Sequence, residues 1–221
     1  VREMFSRIAP RYDLMNRLMT AGQDQRWRRF AIRQTEISPG GRLLDIGTGT
    51  GDLAREALRQ VPDLTVVAAD FTLPMMTEGR RRRPENTLAW TACDSLQLPF
   101  PNHTFDAVSS GFLLRNLQDL HSGLVAQHRV LKPGGKFVAL DTTQPAVNAF
   151  TPLISFYLHT IIPWMGRALT GEAEAYRYLP STTQNFLRAG QLTAHLAAAG
   201  FRKINYRRFM LGTVAVHWGE K

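Results

Sequence analysis

The chain has 221 residues, 44% of them hydrophobic and 20% charged, with a formal net charge of +9. That length accommodates one α/β domain with a sizeable core. The single cysteine, Cys93, excludes an intrachain disulfide and a cysteine-built zinc site, and no run approaches the ~20 apolar residues that span a bilayer.

In chain order, residues 2–35 read as helical. Met4, Phe5 and Ile8, then Leu14, Met15, Leu18 and Met19, then Trp27, Phe30 and Ala31 recur near the helical period, and Pro10 and Gly22 divide the run. Past Pro39-Gly40-Gly41 the pattern alternates: strand 42–46, helix 51–60, strand 64–70, helix 73–82, strand 88–92, strand 105–110, helix 119–131 and strand 136–141, with a turn at Lys132-Pro133-Gly134-Gly135. Such alternation predicts a parallel sheet with helices on both faces. Residues 143–190 break the pattern with Phe150, Phe156, Tyr157, Ile161, Ile162, Trp164 and further aromatics among prolines, which reads as a helical insertion. Helix 191–199, ending at Gly200, and strands 202–208 and 212–218 close the sheet as a hairpin-like edge.

The basic balance is compatible with nucleic acid, an anionic membrane surface or no partner. Arg28-Arg29 and Arg80-Arg81-Arg82-Arg83 carry much of it, and the second run, at a helix end before Pro84, reads as a solvated face that offsets the helix dipole. No apolar signal segment opens the chain, and a start without Met is expected of a trimmed one. A cytoplasmic location is the expectation.

The densest signal is Leu43-Leu44-Asp45-Ile46-Gly47-Thr48-Gly49-Thr50-Gly51-Asp52, a strand, a glycine turn and a helix start in succession. Glycines at 47, 49 and 51 miss the G-x-G-x-x-G spacing of dinucleotide sites, which would put its third glycine where Asp52 stands. Asp45, just before the turn, suits a ligand with an ammonium group and no phosphate, and S-adenosylmethionine is such a ligand. Asp70 ends the second strand, where doubly wound folds offer a carboxylate to ribose hydroxyls, and Phe71 follows it. Cofactor contacts are therefore expected from Asp45, Gly47, Gly49, Thr50, Gly51, Asp70, Phe71, Asp94, Ser95 and Gly111, all in turns that follow strands. Asp94 either anchors an adenine amino group or caps a helix starting near Leu96. Cys93 reads as a small buried hydrophobe, and no histidine spacing supports a metal site. After the fourth strand, Arg115 and Asn116 sit among apolar neighbours, either holding substrate oxygens or bonding backbone carbonyls at a helix start.

Met4-Phe5-Ser6-Arg7-Ile8-Ala9-Pro10-Arg11-Tyr12-Asp13-Leu14-Met15-Asn16, Gly49-Thr50-Gly51-Asp52, Leu98-Pro99-Phe100-Pro101, Leu114-Arg115-Asn116, Arg129-Val130-Leu131-Lys132-Pro133-Gly134-Gly135 and Tyr176-Arg177-Tyr178-Leu179 together resemble the UbiE family of ubiquinone and menaquinone biosynthesis methyltransferases, over nearly the whole chain. The resemblance implies a class I, Rossmann-like methyltransferase domain with a doubly wound, mostly parallel seven-stranded sheet over residues 1–221. Its parts are an N-terminal helical cap (1–35), a cofactor-binding core (42–142), a helical insertion (143–190) and a C-terminal helix with closing strands (191–221).

It also implies S-adenosylmethionine as cofactor and a prenylated quinol, most simply a demethylmenaquinol, as substrate. The alternative acceptor is another aromatic or lipid-like molecule methylated at carbon or oxygen. Arg115 and Asn116 become the expected catalytic pair, stabilising a phenolate, with substrate contacts from Tyr12, His159, Tyr176, Arg177 and Tyr178. The insertion's aromatics either line a tail channel or pack on themselves as a cap. Homodimer formation and peripheral membrane contact are further expectations, and nucleic acid is not expected: Ser109-Ser110-Gly111-Phe112 lacks the stacking turn of many base amino-methyltransferases. Position 111, Ser in many members, is Gly here, and position 113, usually Gly, is Leu.

Overall fold

The computed structural model describes residues 12–82, 88–145, 152, 156–161, 164 and 186–221, with the backbone alone described at Tyr12, Asp13, Leu158 and His159. Helices α1 (Tyr12–Met19) and α2 (Gln23–Arg33) are followed by β1 (Arg42–Ile46), α3 (Asp52–Gln60), β2 (Thr65–Asp70), α4 (Leu73–Arg82), β3 (Leu88–Ala92), β4 (Phe105–Gly111), α5 (Leu120–Val130) and β5 (Leu131–Thr142). After the insertion come α6 (Ala189–Ala198), β6 (Arg202–Phe209) and β7 (Val214–Glu220).

The strands make one seven-stranded sheet in the order β3-β2-β1-β4-β5-β7-β6. β1 pairs in parallel with β2 on one side and β4 on the other. Chain order therefore reverses direction at β1/β4, and the crevice beyond the carboxyl ends of those two strands is where open α/β sheets bind ligands. β7 runs antiparallel to β5 and to β6, so the C-terminal hairpin inserts its second strand and leaves the first at the edge. That edge is mostly exposed and carries Arg202, Lys203, Arg207 and Arg208, charges that discourage pairing with another chain.

The central strands are apolar because both sheet faces are covered. One face packs Phe105, Leu124, Phe137, Leu192 and Leu196 under α5 and α6. The other packs Trp27, Ala31, Leu43, Ala54, Ala57 and Val216 under α2 and α3. Trp27, Ala31 and Ile32 put the buried stripe of α2 on this second face, and Phe30 reaches Trp218 edge-on at 5.7 Å. α5 starts where the Asp119 carboxylate accepts the Ser122 amide at 3.0 Å, a side-chain N-cap.

The structure alters two expectations here. The Lys132–Gly135 turn belongs to β5, whose register against β4 jumps from Phe105↔Leu131 to Ala107↔Lys136, so the extra residues form a bulge within the strand. No helix starts near Leu96: the Asp94 carboxylate accepts the Leu96 amide at 2.9 Å, which closes an isolated turn. Most of the predicted insertion lies outside the described residues. No described helix is long and apolar enough to cross a membrane.

Candidate active site

Three glycines in left-handed conformation shape the turn after β1: Gly47 at φ 65°, Gly49 at φ 58° and Gly51 at φ 88°. A Cβ at Gly47 would stand 2.9 Å from the Leu113 side chain, so glycine is needed there for space as well as for backbone conformation. The turn is held from three sides. Thr48 donates its amide to the Ala69 carbonyl at 3.0 Å. The Gly49 amide donates to Asp70 Oδ2 at 2.7 Å. Arg55, one turn into α3, donates through Nη1 to the Thr50 carbonyl at 2.6 Å and through Nη2 to the Gly79 carbonyl at 2.5 Å, fastening the turn to α4.

Gly79 itself lies so close that a Cβ would come within 2.5 Å of the Thr50 carbonyl oxygen. Neither Arg55 nor Gly79 was legible as a site residue. A charged helix residue reads as solvated, and a glycine inside a helix signals close packing without saying against what.

The acids differ in what they can reach. Asp45 is fully buried, and its carboxylate accepts the Thr48 hydroxyl at 2.6 Å and the Ser109 hydroxyl at 2.7 Å. Burial pushes its pKa from 3.8 up to about 6, against the lowering effect of those two hydroxyls. Ser109 is placed there by strand register, Asp45↔Ser109, which no local pattern reveals. Asp70, with Oδ2 on Gly49 and Oδ1 on the Thr72 amide at 2.7 Å, has its pKa raised by burial, the two backbone bonds opposing. Cys93 beside it is pushed up to about 11 by burial and by the charges of Asp70 and Asp94, so it is a thiol at neutral pH.

These groups surround a cavity of about 480 Å³, within the range of small-molecule sites. Of the expected cofactor contacts, Asp45, Gly47, Gly49, Thr50, Asp70, Phe71, Asp94, Ser95 and Gly111 all line it. Gly51 does not: it precedes α3 behind the turn, and a Cβ there would meet Trp90 at 2.8 Å. At Gly111 a Cβ would meet only Leu53 at 3.5 Å, ordinary contact, so that glycine opens the wall without being sterically required. Sequence reasoning missed Arg28, Thr48, Asp52, Met75 and Leu113 in the lining. Arg28, read as part of a basic cluster, is buried between Asp24 and Asp52, while its neighbour Arg29 is exposed.

The expected catalytic pair is split. Asn116 lines the cavity, its Nδ2 donating to the Phe112 carbonyl at 3.0 Å. Arg115 is not in the lining. Its side chain is 3% exposed and its Nη1 meets Asp141 Oδ1 at 2.5 Å, with the guanidinium 5.1 Å from the centre of the Phe112 ring. A direct hold on a substrate oxygen by Arg115 would require Asp141 to release it, and position 141 gave no sequence signal for that pairing. The side chains of Tyr12 and His159, and all of Tyr176, Arg177 and Tyr178, lie outside the described residues. Among the described residues no group of three or more His, Cys, Asp or Glu could hold a metal ion.

Residues 1–221 match the ubiE/COQ5 methyltransferase family. A ubiquinone/menaquinone biosynthesis C-methyltransferase from Desulfotalea psychrophila is 45% identical over 221 residues, covering 100% of this chain and 90% of the relative. The chain belongs to the ubiE/COQ5 methyltransferase family. A demethylmenaquinone methyltransferase from Thermus thermophilus is 41% identical over 99% of this chain and 100% of its own length. The fold is also that of phosphoethanolamine N-methyltransferase 2 from Haemonchus contortus in complex with S-adenosyl-L-methionine, with a TM-score of 0.60 at 22% identity. That match covers 82% of this chain and 38% of that one.

The protein is an S-adenosylmethionine-dependent methyltransferase of the class I fold, and the cavity fits that cofactor. Asp70 presents a carboxylate, oriented by two backbone amides, to hydroxyl donors. Exposed Phe71 and the Met75 side chain offer apolar surface for a base, and Gly47 and Gly49 leave the backbone bare for close approach.

Proposed function

We propose that this chain transfers a methyl group from S-adenosylmethionine to a ring carbon of a prenylated quinol, with a demethylmenaquinol as acceptor. The observation that carries the reading is full-length similarity, at 45% and 41% identity, to relatives named for quinone-ring methylation. The cavity is consistent with it. The acids and glycines form one part of the wall, and Leu113, Asn116 and Leu117 form another, apolar around a single amide.

When bound, S-adenosylmethionine supplies an electrophilic methyl on a sulfonium. The chain must then make a ring carbon nucleophilic, and a phenol of pKa near ~10 is little ionised at neutral pH. Asn116 holds the phenolic oxygen as charge develops on it, the role of an oxyanion site. Arg115 acts one step back. Its pairing with Asp141, together with the Thr142 amide on the same Oδ1 at 2.7 Å, pins the 114–116 turn to the end of β5 and so fixes where Asn116 points. The apolar wall excludes water from the oxygen and strengthens the amide's hold on it.

Incubation with labelled S-adenosylmethionine and chemically reduced demethylmenaquinone, beside a demethylated ubiquinol precursor, tests the proposal. Ring-carbon methylation read by mass spectrometry is expected for the naphthoquinol. Methylation of neither, with the donor bound, points to another acceptor.

Asp45 sets a pH dependence. Its folded pKa of about 6 lies above the ordinary 3.8, so the stability it contributes is complete below about pH 4 and lost as pH rises through about 6, a difference of about 3 kcal/mol. Asp45→Asn is expected to flatten this segment of a urea-midpoint profile of the ligand-free chain. An ammonium-bearing ligand favours the ionised carboxylate, so affinity for S-adenosylmethionine falls as pH drops below about 6 in the wild type and not in Asp45→Asn.

Peripheral contact with an anionic membrane completes the proposal, since a prenylated substrate resides there. Leu14, Leu18, Phe156 and Trp164 are exposed, and the Tyr157 hydroxyl donates to the Met19 carbonyl, joining the insertion to the end of α1. Sedimentation with anionic liposomes at low salt, weakening as salt rises, is the expected result. No sedimentation at low salt removes this part.

A further inference from the structure

The donor's amino-acid end is a zwitterion, and a cavity that holds it needs a cation as well as acids. Among the described residues lining the cavity, Arg28 is the only basic side chain, facing a lining that includes Asp45, Asp52, Asp70 and Asp94. Its position is built. It projects from α2 with a side chain 9% exposed, and Nη1 is anchored on buried Asp24. The second acid is held loosely: Nη1 stands 3.5 Å from Asp52 Oδ2, beyond hydrogen-bond distance, and Asp52 is 28% exposed at the first position of α3. The acid that the sequence offers for the ammonium, Asp45, is fully buried with both oxygens on hydroxyls, so it acts only as charge behind the turn.

Resting on the cofactor reading of this cavity, we infer that Arg28 is the receptor for the donor's carboxylate. The zwitterion inserts into the loose Arg28–Asp52 pair, its carboxylate on the guanidinium and its ammonium on Asp52. Each buried charge exchanges a weak partner for a close one, so no group is left uncompensated. Asp24 keeps the guanidinium in place throughout, which makes Arg28 a preformed binding group rather than one recruited from solvent.

Calorimetric titration of the full chain with S-adenosylhomocysteine and with its decarboxylated counterpart isolates the carboxylate. The wild type should prefer the intact ligand by at least about tenfold, the scale of one charge-assisted contact. Arg28→Gln should lose that preference by weakening the intact ligand alone, with folding checked by thermal melting. Arg28→Lys keeps the charge for both aspartates and serves if the glutamine variant does not fold. It should bind the intact ligand several-fold more weakly because the fork is gone. A wild type indifferent to the carboxylate, or a preference undiminished in both variants, overturns the assignment of Arg28. Failure of the wild type to bind S-adenosylhomocysteine at all would instead overturn the cofactor reading of the cavity.

Discussion

Arg115→Leu is expected to lower the stability of the folded chain by about 3–5 kcal/mol, the cost of stranding one member of a buried ion pair. It should also abolish most turnover. Asp141 is 2% exposed, and although it keeps the Thr142 amide, it has no route to solvent once the guanidinium is gone. Affinity for S-adenosylmethionine should change little, because Arg115 is absent from the cavity lining.

The double variant Arg115→Leu/Asp141→Asn separates the two effects. It removes the stranded charge, so urea denaturation should show most of the lost stability restored. Turnover should stay low, because the 114–116 turn is no longer tied to β5 and Asn116 loses its fixed direction. Full turnover in the double variant at a temperature where it is folded would take Arg115 out of the positioning role.

The second large effect is at Gly79. Alanine there places a Cβ where the Thr50 carbonyl oxygen would be 2.5 Å away and Trp90 2.7 Å away. The contact is with backbone, so it is relieved only by moving the glycine turn off α4, and the Arg55 bridge between the Thr50 and Gly79 carbonyls stretches with it. A loss of about 1–3 kcal/mol in stability is expected, the usual range for overpacking. S-adenosylmethionine affinity should weaken by more than tenfold, since a 1 Å displacement of a binding element costs about 1.4 kcal/mol or more. Gly190→Ala, in α6 with nothing within 4 Å of the added Cβ, is the control, and should be neutral or slightly stabilising. Equal behaviour of the two variants in melting and titration would show that the turn is not seated on α4.

The alternation of strands and helices, the glycine turn and the acid ending β2 are all local signals. Helix Leu73–Arg82 and strand Leu88–Ala92 fall where periodicity puts them. Asp70, Phe71, Asp94, Ser95 and Asn116 reach the cavity because residues after parallel strands converge on one edge of the sheet. What local pattern failed to show is instructive. The Lys132–Gly135 segment has every mark of a turn, yet pairing with β4 draws it into a strand. Arg28, in a run of charges that reads as surface, is buried because Asp24 lies one helical turn before it and Asp52 approaches from α3.

The sequence by itself determined the order of elements, the position of the crevice and the family, since each rests on short spacings or on similarity along the chain. The tertiary structure alone decided the partners: Ser109 on Asp45, Gly79 under Thr50, Asp141 on Arg115, Asp52 beside Arg28. Those pairs are 64, 29, 26 and 24 residues apart, and their electrostatics depend on burial. Periodicity and local spacing carry no term for either, because burial and long-range contact exist only once the sheet has closed.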